Sequence, residues 1–150
     1  MAEVDENYKR IKSLENEVLS LERYTRSFNL RFGGIAENPE EVCTITIDKI
    51  ISSHFKKRVP IENAHRIGRK GPKPRHIIVR FQARPDRTDI LKMARSCLKD
   101  SDIFVTDDLP YKDLNSKKQF KGIMKTAYEK GDRVLFKKGS LYINGKLYKE

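Results

Sequence analysis

The chain contains no tryptophan and only two cysteines, Cys43 and Cys97, far apart in the sequence. With no second cysteine near either, there is neither a zinc-ligand spacing nor a disulfide framework, and a reducing intracellular compartment is expected. No apolar run approaches the roughly 20 residues that cross a bilayer, and the charged N-terminus leads into no signal-peptide core. A soluble protein of the cytoplasm or nucleus, with no membrane partner, is the expectation. Chemistry for ligation or catalysis is scarce as well. His54, His65 and His76 recur every eleven residues, on different elements and without a carboxylate or cysteine arranged beside them. Asp107-Asp108 has no further acidic partner, so it reads as a cap for the next turn rather than a nuclease metal site. No nucleophile-and-base pairing, phosphate loop or dinucleotide fingerprint occurs. No catalysis, cofactor or metal is expected.

Acid is also scarce where base is abundant. The chain has 32 Lys/Arg against 21 Asp/Glu, a formal net charge of +11. Residues 1–27 hold five basic and six acidic residues, which leaves 27 against 15 for the remainder. From Lys56 to Arg84 there are ten basic residues and a single acid, Glu62. Any one lysine is most simply a solvated surface charge, but clustering of this kind seldom serves solubility alone. Fixed positive charge beside a packed sheet is what a phosphate backbone binds, so the composition points to nucleic acid.

With 150 residues, 37% of them hydrophobic and 35% charged, the chain can bury one modest core plus appendages. Three segments separate by periodicity. In the N-terminal segment, residues 1–27, Val4, Ile11, Val18 and Thr25 fall at heptad position a and Asn7, Leu14 and Leu21 at d, with Phe28 just beyond the segment at the next d, the seam of a coiled coil that needs a partner. Arg10 at g and Glu15 at the following e can pair between neighbouring helices. This spelling, Arg10-Ile11-x-x-Leu14-Glu15, resembles a short motif of parallel three-stranded coils, which favours a homotrimer. β-Branched residues at a with Leu at d favour two strands, so the homodimer stays open. An amphipathic helix folded onto its own domain is the plainer reading.

Residues 28–108 read as βαββαβ. Strands are expected at Phe28–Phe32, Ile61–Ile67, His76–Gln82 and Ile103–Thr106, with helices at Glu40–Phe55 and from Pro85 onward. This order matches the ferredoxin-like unit of RNA-recognition motifs. Residues 109–150 form a small basic C-terminal unit: a helix from Lys112 to Lys130 ended by Gly131, then a hairpin of Arg133–Phe136 and Leu141–Ile143 around Lys137-Lys138-Gly139-Ser140. A turn at Asn144-Gly145 leads to Lys146–Tyr148 as a third strand. The fold class is therefore α+β.

Alternation puts Ile77, Val79 and Phe81 on one face of the third strand and His76, Ile78 and Arg80 on the other, as it sets Leu30 and Phe32 against Asn29 and Arg31. If the apolar faces look inward, the open sheet shows Arg31, His76, Ile78 and Arg80 and no aromatic platform, so backbone electrostatics should outweigh base stacking. The candidate nucleic-acid-binding residues are Arg31, Arg66, Arg69, Lys70, Lys73, Arg75 and Arg80, with Lys117, Lys118, Lys121, Arg133 and Lys137 from the C-terminal unit. Arg23 and Arg26 at the coil exit complete the set. Base stacking would fall to Phe136, Tyr111 or Tyr142, packing being the more ordinary role for the two tyrosines. For Arg66, pairing an acid or capping carbonyls is the alternative to RNA contact. Oligomerisation would rest on Arg10, Ile11, Leu14, Glu15, Val18 and Leu21.

Three stretches, Phe28-Asn29-Leu30-Arg31-Phe32-Gly33-Gly34-Ile35, Ala64-His65-Arg66-Ile67-Gly68-Arg69-Lys70 and Pro74-Arg75-His76-Ile77-Ile78-Val79-Arg80-Phe81, resemble the first-open-reading-frame proteins of LINE-type retrotransposons. The resemblance covers nearly the whole chain and implies a trimeric coiled coil, an atypical RNA-recognition motif and a basic C-terminal domain, in that order. It further implies a protein that coats the single-stranded RNA of its own element; whether single-stranded DNA is also a ligand stays open. Such a protein acts as a nucleic-acid chaperone during reverse transcription, in cytoplasmic ribonucleoprotein particles or in the nucleus. Three features depart from the family: a much shorter coil, Lys117-Lys118 where paired arginines are common, and an end soon after Tyr148, as in a truncated or a divergent copy. Phe136 stands at the aromatic position of the family's hairpin. The competing function is a coiled-coil scaffold whose RNA-recognition-like sheet binds an acidic protein or another subunit.

Overall fold

A computed structural model describes residues 1–149 as an α+β chain with a long N-terminal helix and two antiparallel sheets. The chain divides into two compact units, one formed by Tyr24–Asp108 and the other by Met1–Arg23 together with the residues from Leu109 onward.

In the Tyr24–Asp108 unit, β1 (Asn29–Gly33), β2 (Ile61–Arg66), β3 (Ile77–Phe81) and β4 (Phe104–Asp107) form one sheet in the order β2-β3-β1-β4. The register pairs Arg31 with Ile78 on one side and Thr106 on the other, and His65 with Ile78. Helices α2 (Cys43–Ile50) and α3 (Arg84–Cys97) pack on the sheet. Period-2 alternation decides what they cover: Leu30, Phe32, Ile77, Val79 and Phe81 are fully buried against Ile47, Ile51 and Ile90. Each such side chain contributes about 2 kcal/mol of hydrophobic stabilisation. Pro85 sits in the first turn of α3, where a missing N–H costs nothing. The first helix begins at Cys43 rather than Glu40, because Asn38 and Glu41 close a turn through Asn38 N–H to the Glu41 carboxylate and Glu41 N–H to the Asn38 carbonyl. It ends in a wider π turn, Ile51–Phe55, that buries both Ile51 and Phe55 before Lys56 turns left-handed at φ 55°.

In the other unit, α1 (Ala2–Arg26, whose last turn belongs to the sheet unit) buries no residue anywhere along its length. The single helix expected from Lys112 to Lys130 is instead two, α4 (Tyr111–Gln119) and α5 (Lys121–Glu129). The break is at Phe120, whose backbone leaves the helical region (φ −91°, ψ 2°) and whose ring turns edge-on to Tyr148 at 5.9 Å. Strands β5 (Val134–Lys137), β6 (Ser140–Ile143) and β7 (Lys146–Leu147) follow as a meander. Both turns are two-residue and left-handed, Lys138-Gly139 and Asn144-Gly145, which matches the twist of the paired strands.

Candidate nucleic-acid interface

The face of the first sheet opposite its helices carries Asn29, Arg31 and Gly33 from β1, with Ile78 and Arg80 from β3. Asn63 and His65 of β2 and Phe104 and Thr106 of β4 share it by register. One expectation for this face needs correcting. It does hold an aromatic: Phe104 of β4 is 46% exposed, and its ring lies edge-to-face with His76 at 5.4 Å. The signal is present in the sequence, since Ile103 and Val105 alternate with Phe104 and Thr106, and Val105 pairs with the buried Phe32.

Most of the expected arginines are engaged within the fold. Arg66 is the clearest case. Its Nε and one terminal nitrogen donate to the Glu41 carboxylate at 2.8 and 2.9 Å, and the remaining N–H groups reach the carbonyls of Ile35, Ala36 and Arg75. A guanidinium has five N–H donors, and here five acceptors take them. With its side chain 5% exposed, Arg66 has nothing left for a phosphate, so it is a clamp joining the end of β2 to the segment after β1. The Arg66 guanidinium holds the Glu41 carboxyl down at about 2, against desolvation that pushes it up.

Similar, less complete capture holds the others. Arg75 donates through Nε and a terminal nitrogen to Glu37 and keeps that carboxyl below its ordinary range. Arg80 stacks on the Phe28 ring at 5.0 Å while bonding Glu62 and the Thr25 carbonyl. Asp108, buried, accepts from Arg26, Arg31 and Asn29. Asp107 takes Arg87. These two acids therefore fix arginines rather than capping α4, whose N-terminus has no side-chain cap. Arg23 makes a bidentate pair with the buried Asp113 at 2.7 and 2.8 Å, which raises the arginine above its usual range.

The cations left over are concentrated. Arg69, Lys70 and Lys73, on the loop between β2 and β3, are exposed and meet no acid among the described residues. In the other unit the same is true of Lys118, Lys121, Arg133 and Lys137, while Lys117 lies over the half-buried Phe136 ring at 6.0 Å. Tyr111 is 77% exposed, and Tyr142 is half-buried, paired to Leu135 and Leu147. One further cation emerges only from the fold: Arg84, exposed, stacked on Tyr24 and Phe28 at 5.0 and 5.1 Å. Its position three residues after Phe81 and beside Pro85 gives no hint of an aromatic partner outside the sheet.

Among the described residues no cluster of three His, Cys, Asp or Glu side chains is arranged to hold a metal ion, and no helix is long and apolar enough to cross a membrane. No protein-family model matches the chain, and no curated protein matches it.

Proposed function

We propose that the protein binds single-stranded RNA through backbone electrostatics, as a self-associating nucleic-acid-coating protein of the LINE first-open-reading-frame type. The observation that carries this reading is the unpaired Arg69, Lys70 and Lys73 loop at the end of an antiparallel sheet against which α2 and α3 pack. The order β2-β3-β1-β4 with α2 and α3 supports a ferredoxin-like RNA-recognition motif. The polar, arginine-bearing sheet supports an atypical one, in which charge does more than stacking. Nucleic-acid chaperoning during reverse transcription, and single-stranded DNA as a further ligand, follow from the resemblance and the same charge.

A titration of single-stranded RNA binding against salt tests the mechanism. Log affinity should fall linearly with log salt, with a slope of about −0.7 for every phosphate neutralised. A flat isotherm removes it. Affinity abolished by a polyanionic homopolymer competitor, with a defined acidic protein still retained, favours the scaffold reading instead.

Self-association rests on α1. Val4, Ile11, Leu14, Val18 and Leu21 are between 54% and 67% exposed, an apolar heptad seam that a partner helix would cover. A homotrimer is proposed, with the Arg10–Glu15 pairing between chains. Sedimentation should give three times the chain mass of 17.5 kDa, and Leu14→Glu should reduce it to one. A twofold mass would make it a dimer; a wild-type monomer would remove the coil.

A further inference from the structure

We infer that Phe104, with His76 at its edge, is a stacking platform for one unpaired base of the bound strand. This rests on the RNA-binding reading above and deepens it, because charge alone gives no role to an exposed aromatic on the sheet.

The local geometry is built for a low-lying ring. Gly33 pairs directly with Phe104 across β1 and β4, and the end of the Phe104 ring, Cζ foremost, occupies the space that a Cβ at Gly33 would fill. Any larger residue at position 33 displaces the ring. Despite that seat, nearly half of Phe104 remains open to solvent. His76 meets it edge-to-face, with 83° between the ring planes. Burial, and then the Arg31 charge, hold the His76 imidazole below its ordinary range.

Position supplies the second half of the case. Ile67 N–H bonds the His76 carbonyl, the last rung of the β2–β3 ladder before the loop that carries Arg69, Lys70 and Lys73. A strand whose phosphates lie along that loop brings its bases to the His76, Gly33 and Phe104 end of the sheet. An aromatic next to a phosphate-binding cation is the arrangement by which single strands are held without sequence preference, because every base has a π-face. An acidic peptide would use the cations and leave the ring idle.

The absence of tryptophan makes a clean probe, since Phe104→Trp places the sole indole of the chain on the platform. Its emission should be quenched by a single-stranded RNA oligomer and left unchanged by an abasic oligonucleotide of equal length, which has the phosphates and no bases. Phe104→Leu keeps an apolar cover on Gly33 and should weaken RNA binding about 10-fold while leaving abasic binding intact. If the wild type binds RNA with the expected salt slope but the indole is not quenched, or Phe104→Leu costs equal affinity for both oligomers, the platform is refuted and the electrostatic reading stands. If the wild type does not bind RNA at all, both fall together.

Discussion

Replacing Arg69, Lys70 and Lys73 together by Ala should lower affinity for single-stranded RNA about 100-fold at 0.1 M salt. Three phosphate contacts at about 0.7 each amount to about two units of slope in log affinity against log salt, and at 0.1 M that corresponds to about two decades. The variant's isotherms, measured by fluorescence anisotropy at several salt concentrations, should be correspondingly flatter. Stability should hardly move, since the three side chains are exposed and unpaired among the described residues, and Gly68 and Gly71 beside them face open space. Unchanged affinity would take the loop out of the interface. Arg75→Ala and Arg80→Ala should cost less, because each cation already shares its charge with an acid, Glu37 or Glu62.

Arg66 should behave in the opposite way. Arg66→Ala leaves the Glu41 carboxylate and the carbonyls of Ile35, Ala36 and Arg75 without their donors, and should destabilise the fold by about 3 kcal/mol. With a denaturant slope of about 1.5 kcal/mol per molar, the urea midpoint should drop by about 2 M. Arg66→Lys should recover only part of this, because an ammonium cannot span five acceptors. The pair also sets an acid limb. Glu41 is depressed to about 2 from an ordinary 4.5, so its contribution is fully present above 4.5 and is lost as the pH falls through 2. Arg66→Ala should flatten that limb. A variant with wild-type stability and reduced RNA affinity would return Arg66 to the interface.

The contrast between these arginines explains what the sequence discloses. Alternation in β1 and β3 is legible because the buried set, Leu30, Phe32, Ile77, Val79 and Phe81, is apolar without exception. Helix α3 is legible from Pro85 and the Ile90, Ala94 and Leu98 spacing. What a basic residue does is not, because it depends on which acid the fold brings to it from far along the chain. Glu41 reaches Arg66, and Asp108 reaches Arg26 and Arg31, across separations that no local pattern encodes. That the segment from Lys56 to Arg84 holds ten basic residues and a single acid is stated by the sequence, but which of them find a partner is not, since Arg66 and Arg75 of that segment pair with Glu41 and Glu37 outside it. The break at Phe120 is hidden for a related reason: it accompanies an aromatic contact with Tyr148, 28 residues on.

Cys43 stands beside the clamp. Its sulfur lies 3.5 Å from a Glu41 oxygen, and burial, followed by that carboxylate, pushes the thiol above its ordinary range. A protonated, half-sheltered thiol is a poor nucleophile toward alkylating reagents and oxidants. Once the segment around it peels away, the same sulfur regains ordinary reactivity, so the chain carries a built-in chemical clock: the rate at which iodoacetamide marks this one position reports how often that corner of the molecule breathes.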